Sequence, residues 1–179
     1  MKNVTIAAAI AACVIAFPAM AQEKDDFSGV KATAIAGYDN IDVGVTGVDN
    51  VEGFLYGGTL GYDIQSGNVV YGAELEATES TGKISTTGGR IEAGRDLYAG
   101  ARLGFVVGDS ALIYTKAGYT NARVSSPGIG GENGDGVRVG AGVEYKLSQN
   151  MFARGEYRYS NYEGGVSRNQ GLVSLGLKF

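Results

Sequence analysis

The stretch Val137–Leu147, VRVGAGVEYKL, followed after Ser148-Gln149-Asn150 by Met151–Tyr159, MFARGEYRY, decides the fold. In the first segment every odd position is apolar and every even position is Arg, Gly, Glu or Lys, a strict period of two that a strand satisfies and a helix does not. The same parity is written along the rest of the chain, in Val30–Tyr38, Phe54–Ile64, Val69–Ala77, Leu97–Phe105, Ile113–Tyr119 and Val173–Phe179. Eight strands are thus predicted. Their connections alternate in length: 39–53, 78–96, 120–136 and 160–172 are long, whereas 65–68, 106–112 and 148–150 are short. No segment keeps an apolar stripe at helical spacing, and no run is long and apolar enough for a membrane helix.

Within the strands Lys31, Asp63, Glu74, Glu76, Arg102, Lys116, Arg138, Glu144, Lys146, Arg154, Glu156, Arg158 and Lys178 all take the parity opposite to the apolar set. A soluble barrel with charges outside and a membrane barrel with charges inside both require that segregation. The remaining occupants of the polar face separate them. Glycine recurs there, at positions such as Gly61, Gly72, Gly100, Gly104, Gly118, Gly140, Gly142 and Gly176, as expected of a crowded interior that must hold long charged side chains. The chain has 30 glycines in 179 residues, more than twice the average usage of about 7%. The apolar face instead carries Tyr38, Phe54, Tyr56, Tyr62, Tyr71, Phe105, Tyr119, Tyr145, Tyr157 and Tyr159, many near strand ends, where amphipathic rings suit the headgroup zone of a bilayer. Neither proline, Pro18 or Pro127, falls in a predicted strand.

The N-terminus sets the compartment. Lys2, the apolar run Val4–Phe17 and Ala19-Met20-Ala21 form a secretory signal peptide, residues 1–21, with cleavage expected after Ala21. A lipoprotein-like Ile10-Ala11-Ala12-Cys13 is the competing signal, but the run stays apolar after the cysteine. Removing the leader leaves 14 basic and 19 acidic residues, a net charge of −5, and no cysteine. The mature chain, 22–179, therefore has no disulfide, and its length is used up by one eight-stranded domain.

The segments Leu112–Val124 (LIYTKAGYTNARV), Gly136–Leu147 (GVRVGAGVEYKL) and Ala153–Tyr162 (ARGEYRYSNY) resemble the later strands of the small outer-membrane β-barrel family of opacity-type and porin-like surface proteins, similar to the barrel domain of the outer-membrane protein A class. The resemblance implies an all-β fold, an eight-stranded antiparallel up-and-down transmembrane barrel in the bacterial outer membrane, with short periplasmic turns and four long extracellular loops. It also implies that the alternating end Val173, Leu175, Leu177 and Phe179 is the signal read by the barrel-assembly machinery, with periplasmic chaperones as partners in transit. Larger relatives append a peptidoglycan-binding domain; this chain is expected to stop at its barrel.

A structural or surface role follows, with membrane integrity, antigenicity or adhesion through the loops. The expected partners are outer-membrane lipids, lipopolysaccharide and a host or surface ligand at the loops, with no nucleic acid. The absence of histidine removes the usual general base, so a membrane-embedded enzyme is a remote alternative, and no catalytic residue, metal site or cofactor is assigned. A small porin-like channel is the nearer alternative. Its candidate lumen residues are Glu74, Glu76, Arg102, Lys116, Arg138, Glu144, Arg154, Glu156 and Arg158. With Lys31, Lys146, Lys178 and Asp63 counted among them, the lumen is expected to be net +3 and anion-leaning. The acidic positions Asp39, Asp42, Asp49 and Glu52, and the segment Gly130–Gly136, are read as solvated loops, with Ca²⁺ binding the sharper alternative.

Overall fold

Alternating side chains require that a sheet show one face to each of two environments, and here the sheet closes so that one face becomes a lumen. The computed structural model describes residues 26–42, 51–86, 89–126 and 130–179. The strands are β1 (Gly29–Asp42), β2 (Val51–Ser66), β3 (Val69–Ser80), β4 (Lys83–Thr86), β5 (Gly89–Val107), β6 (Ala111–Ser126), β7 (Gly130–Lys146), β8 (Met151–Tyr162) and β9 (Ser167–Lys178). Every pairing is antiparallel, in the order β3-β2-β1-β9-β8-β7-β6-β5-β4, and β3 pairs with β5 to close the ring. Eight strands form the wall. The short β4 pairs only with the start of β5, as a hairpin standing above it.

The register fixes the size of the barrel. Stepping across partners from Lys31 through Gly61, Glu74, Gly100, Gly118, Arg138, Ser160 and Arg168 returns to β1 at Ile41, ten residues beyond the start. Eight strands with that stagger tilt by about 40° and give a backbone radius of about 8 Å, so long side chains from different walls meet near the axis. The lumen is therefore filled by side chains. Glycine makes the room: a Cβ on Gly100 would overlap the Tyr98 ring, and one on Gly176 would overlap the Phe152 ring.

The turns at the end shared by the chain termini are short. Gly67 and Asn68 join β2 to β3, with Gly67 at φ +61°, the left-handed first position of a II′ hairpin. At the other end the strands run further than the alternation predicts. The long connection 120–136 is largely continued pairing between β6 and β7, from Thr120↔Gly136 to Ser126↔Gly130. Likewise β1 extends to Asp42 and β9 begins at Ser167, and 160–172 shrinks to a single 3-10 turn, Glu163–Gly165, with its flanks. Beyond the bilayer both faces meet water, so pairing persists after apolar alternation has stopped. The leader 1–21, Asp49 and Pro127 lie outside the described residues.

Candidate functional site: lumen network and outer rim

Inward positions collect nearly all the buried charge. Lys31, Arg102, Lys116, Arg138, Arg154, Arg158 and Arg168 are buried, and so are Asp39, Asp63, Glu74, Glu76, Asp96, Glu144 and Glu156. All nine candidate lumen residues are among them. Asp39, Asp96 and Arg168 are additions, because the sequence reading placed them in loops, whereas continued strand parity turns them inward. Lys146 and Lys178 are only half-buried at the turn end, where Lys146 lies over the Phe27 ring at 4.3 Å and Lys178 Nζ sits 3.8 Å from Asp26. The expected excess of three positive charges is thus corrected: among the described buried residues, seven cations meet seven anions.

These fourteen groups form one connected chain of ion pairs. Near the long-connection end Arg168 pairs with Asp39 and, at 3.1 Å, with Asp96. Asp96 takes Arg138 Nη2 at 2.5 Å and accepts from Tyr162 Oη at 2.9 Å and Thr120 Oγ1 at 2.7 Å. Arg138 Nη1 continues to Glu76 at 3.0 Å, and Glu76 also pairs with Arg158 and, at 3.3 Å, with Lys116. Lys116 reaches Glu74 at 2.9 Å and Glu156 at 2.8 Å. Arg154 then bridges Glu74 at 2.7 Å to Glu144 at 3.0 Å, and Glu144 holds Arg102 at 3.0 Å and Lys31 at 2.5 Å. Lys31 ends the chain on Asp63, 2.7 Å away. The desolvation of each charge is met by more than one partner, which is the condition under which ions are tolerated in a dry interior. Beneath the network Phe27, Val70 and Leu112 form an apolar floor, with the Lys31 ammonium 5.5 Å from the Phe27 ring centre.

The outward face has two aromatic belts. Tyr62, Tyr71, Phe105 and Tyr145 lie toward the turn end, with Phe179, whose N–H donates to Val30 at 2.9 Å. Tyr38, Phe54, Tyr56, Tyr119, Tyr157 and Tyr159 lie toward the other, and all are 37% exposed or more. Val173, Leu175 and Leu177 point outward from β9. The ten residue steps from Phe54 to Ile64, at the strand tilt above, span roughly 25 Å, the height of an outer-membrane apolar band.

At the upper edge of this band each strand's outward series turns polar, at Asn40, Glu52, Glu79, Arg95, Asn121, Asp135, Asn161 and Asn169. The sequence reading missed this rim. Four belt tyrosines donate to it: Tyr38 to Glu52, Tyr56 to Glu79 at 2.9 Å, Tyr119 to Asp135 at 2.5 Å and Tyr157 to Asn169 at 2.7 Å. Asp135, read from sequence as part of an oxygen-rich loop, is instead a strand residue. The Tyr119 hydroxyl and the Asn121 amide, 2.5 Å away, hold its carboxyl below the usual carboxylate range. Among the described residues no group of three or more acidic side chains is placed to hold a metal ion.

The architecture has known counterparts. The profile of the outer membrane protein beta-barrel domain matches residues 9–179. A 25 kDa outer-membrane immunogenic protein of Brucella ovis is 28% identical over 80% of this chain and 72% of its own length. The protein of that name from Brucella canis is 30% identical over 70% of this chain, a match that covers 60% of the relative. Among solved structures, Neisserial surface protein A superposes with a TM-score of 0.65 over 85% of this chain and 98% of its own, at 17% identity, a likeness of fold. The chain belongs to the outer membrane β-barrel domain family and is an outer-membrane protein.

Proposed function

We propose that the protein is a structural, surface-exposed barrel whose activity lies on its outside, in the loop end and the lipid-facing wall, with no solute traffic or turnover in its lumen. The observation that carries this reading is the unbroken ion-pair chain from Asp39 to Asp63, which fills the lumen of a barrel about 8 Å in backbone radius. Arg138 and Arg158, both without solvent exposure, reach to Glu76 from β7 and β8. Passage of a solute would require several of these pairs to separate at once in a low-dielectric interior. The even balance of buried charge gives no basis for anion preference. That the Brucella relatives are named immunogenic supports exposure of the loop end to the cell's surroundings. The outward end of β9, with Phe179, is assigned to recognition by the assembly machinery.

Planar-bilayer conductance of the refolded mature chain tests the proposal. A folded, silent barrel is expected. Stable current steps that scale with salt, and whose ion preference changes in Arg138→Ala, would replace it with the channel reading.

A further inference from the structure

We infer that the outer wall carries a specific site for one phosphorylated, acylated glycolipid, its phosphate held by Arg95 and Arg123 and an acyl chain laid in the groove directly below. This goes beyond the structural reading above by giving the expected lipopolysaccharide partner a defined site on the wall.

The first observation is a break in the sign of the rim. Its outward residues are otherwise Asn, Glu or Asp, and the acids Glu52, Glu79 and Asp135 accept from belt tyrosines. Arg95 is the exception, and Arg123 stands beside it. The register shifts between Ala93 and Asp96, so that Gly94 and Arg95 both fall opposite Arg123, between the pairs Ala93↔Val124 and Asp96↔Ala122. A bulge of this kind re-aims side chains, and Gly94 permits it, since a Cβ there would lie 2.9 Å from the Arg123 carbonyl oxygen. Both arginines are exposed, and neither makes an ion pair or side-chain hydrogen bond among the described residues. Glu79 is the register partner of Arg95, yet its carboxylate is engaged by Tyr56 instead.

The second observation is independent of charge. Immediately below the arginines the wall sinks into a groove of about 840 Å³ lined by Leu60, Leu75, Ala77, Leu97, Ala99 and Tyr119. Leu97 is the next outward residue below Arg95, and Tyr119 lies two outward positions below Arg123. Small alanines between leucines leave a trough at the depth of acyl chains, with the cationic pair at the depth of phosphates. The chemistry selected is an anionic headgroup joined to hydrocarbon. Among the described rim residues only this stretch offers such a headgroup positive charge.

Native mass spectrometry of the refolded protein, released from detergent micelles with lipid A as the probe, tests this. Bis-phosphorylated lipid A is expected to give a discrete one-to-one adduct, with binding about tenfold weaker for its dephosphorylated form and for the Arg95→Ala/Arg123→Ala double variant. Ala99→Phe, which fills the groove from the lipid side, is expected to weaken both lipid forms, while Asn161→Ala, on the rim at β8, leaves binding unchanged. Circular dichroism and heat-modifiable gel migration verify that each variant is folded. Equal retention of phosphorylated and dephosphorylated lipid, or full retention by the double variant, overturns the proposal. Displacement of the adduct by millimolar inorganic phosphate, with no sensitivity to Ala99→Phe, overturns it in favour of a free-anion site.

Discussion

Glu76→Gln changes almost no volume and removes one charge from the centre of the lumen. Glu76 is the shared anion of Arg138, Arg158 and Lys116. After the change Lys116 keeps Glu74 at 2.9 Å and Glu156 at 2.8 Å, and Arg138 keeps Asp96 at 2.5 Å. Arg158 fares worst. Its next carboxylate is Glu156, 3.8 Å away and already held by Lys116, so its guanidinium relies on the Gln170 side chain at 2.6 Å. Leaving a buried charge without its partner costs about 3–5 kcal/mol, and because two of the three cations keep good partners the expected loss is about 3 kcal/mol. With a urea slope of about 2 kcal/mol/M, the unfolding midpoint in lipid vesicles falls by about 1.5 M. In the double variant Glu76→Gln/Arg158→Gln the stranded cation is gone, so its loss is smaller than the sum of the two single losses by about 1–2 kcal/mol. A loss below about 1 kcal/mol for Glu76→Gln, or strict additivity in the double variant, would refute the view that the lumen is a dry, mutually dependent network.

Gly100→Ala places a methyl against the Tyr98 ring and the Ala117 carbonyl and is expected to cost about 1–3 kcal/mol in the same urea assay, whereas Gly171→Ala, with open space beside it, changes little. Deletion of Phe179 removes one terminal backbone bond to Val30, so refolding into vesicles is expected to persist while the amount inserted in living cells drops, as read by surface labelling. Carbon-13 NMR of Asp135 is expected to show a carboxyl titrating below the usual range, rising toward it in Tyr119→Phe. Because the folded-state value is depressed, the small stabilisation from this group is present above the unfolded value near 3.9 and fades as pH falls through the folded one.

The barrel was legible because a bilayer and a narrow lumen impose opposite demands on alternate residues, and Val137–Leu147 records both. Legibility failed where that contrast ends. Around Asn121, Arg123 and Asp135 the outward face has left the hydrocarbon and turned polar, so nothing in the residue types distinguishes a protruding hairpin from a loop. Asp39, Asp96 and Arg168 were within reach all the same: each continues the inward parity of its strand, Asp39 and Asp96 one inward position beyond the predicted end and Arg168 three. The ten-residue stagger and the bulge at Gly94 and Arg95 are properties of pairing between strands, and no single strand's pattern encodes them.

Each tyrosine clamp at the upper belt joins a ring that prefers hydrocarbon to a polar group on the neighbouring strand that must stay wet. Tyr38–Glu52, Tyr56–Glu79, Tyr119–Asp135 and Tyr157–Asn169 recur around the wall, so together they draw a waterline. A barrel marked in this way cannot ride higher or lower to suit a thinner or thicker membrane without drowning a carboxylate or stranding a ring in water. The surrounding bilayer is therefore the partner that must stretch or thin, and the protein acts on it as a fixed gauge of depth.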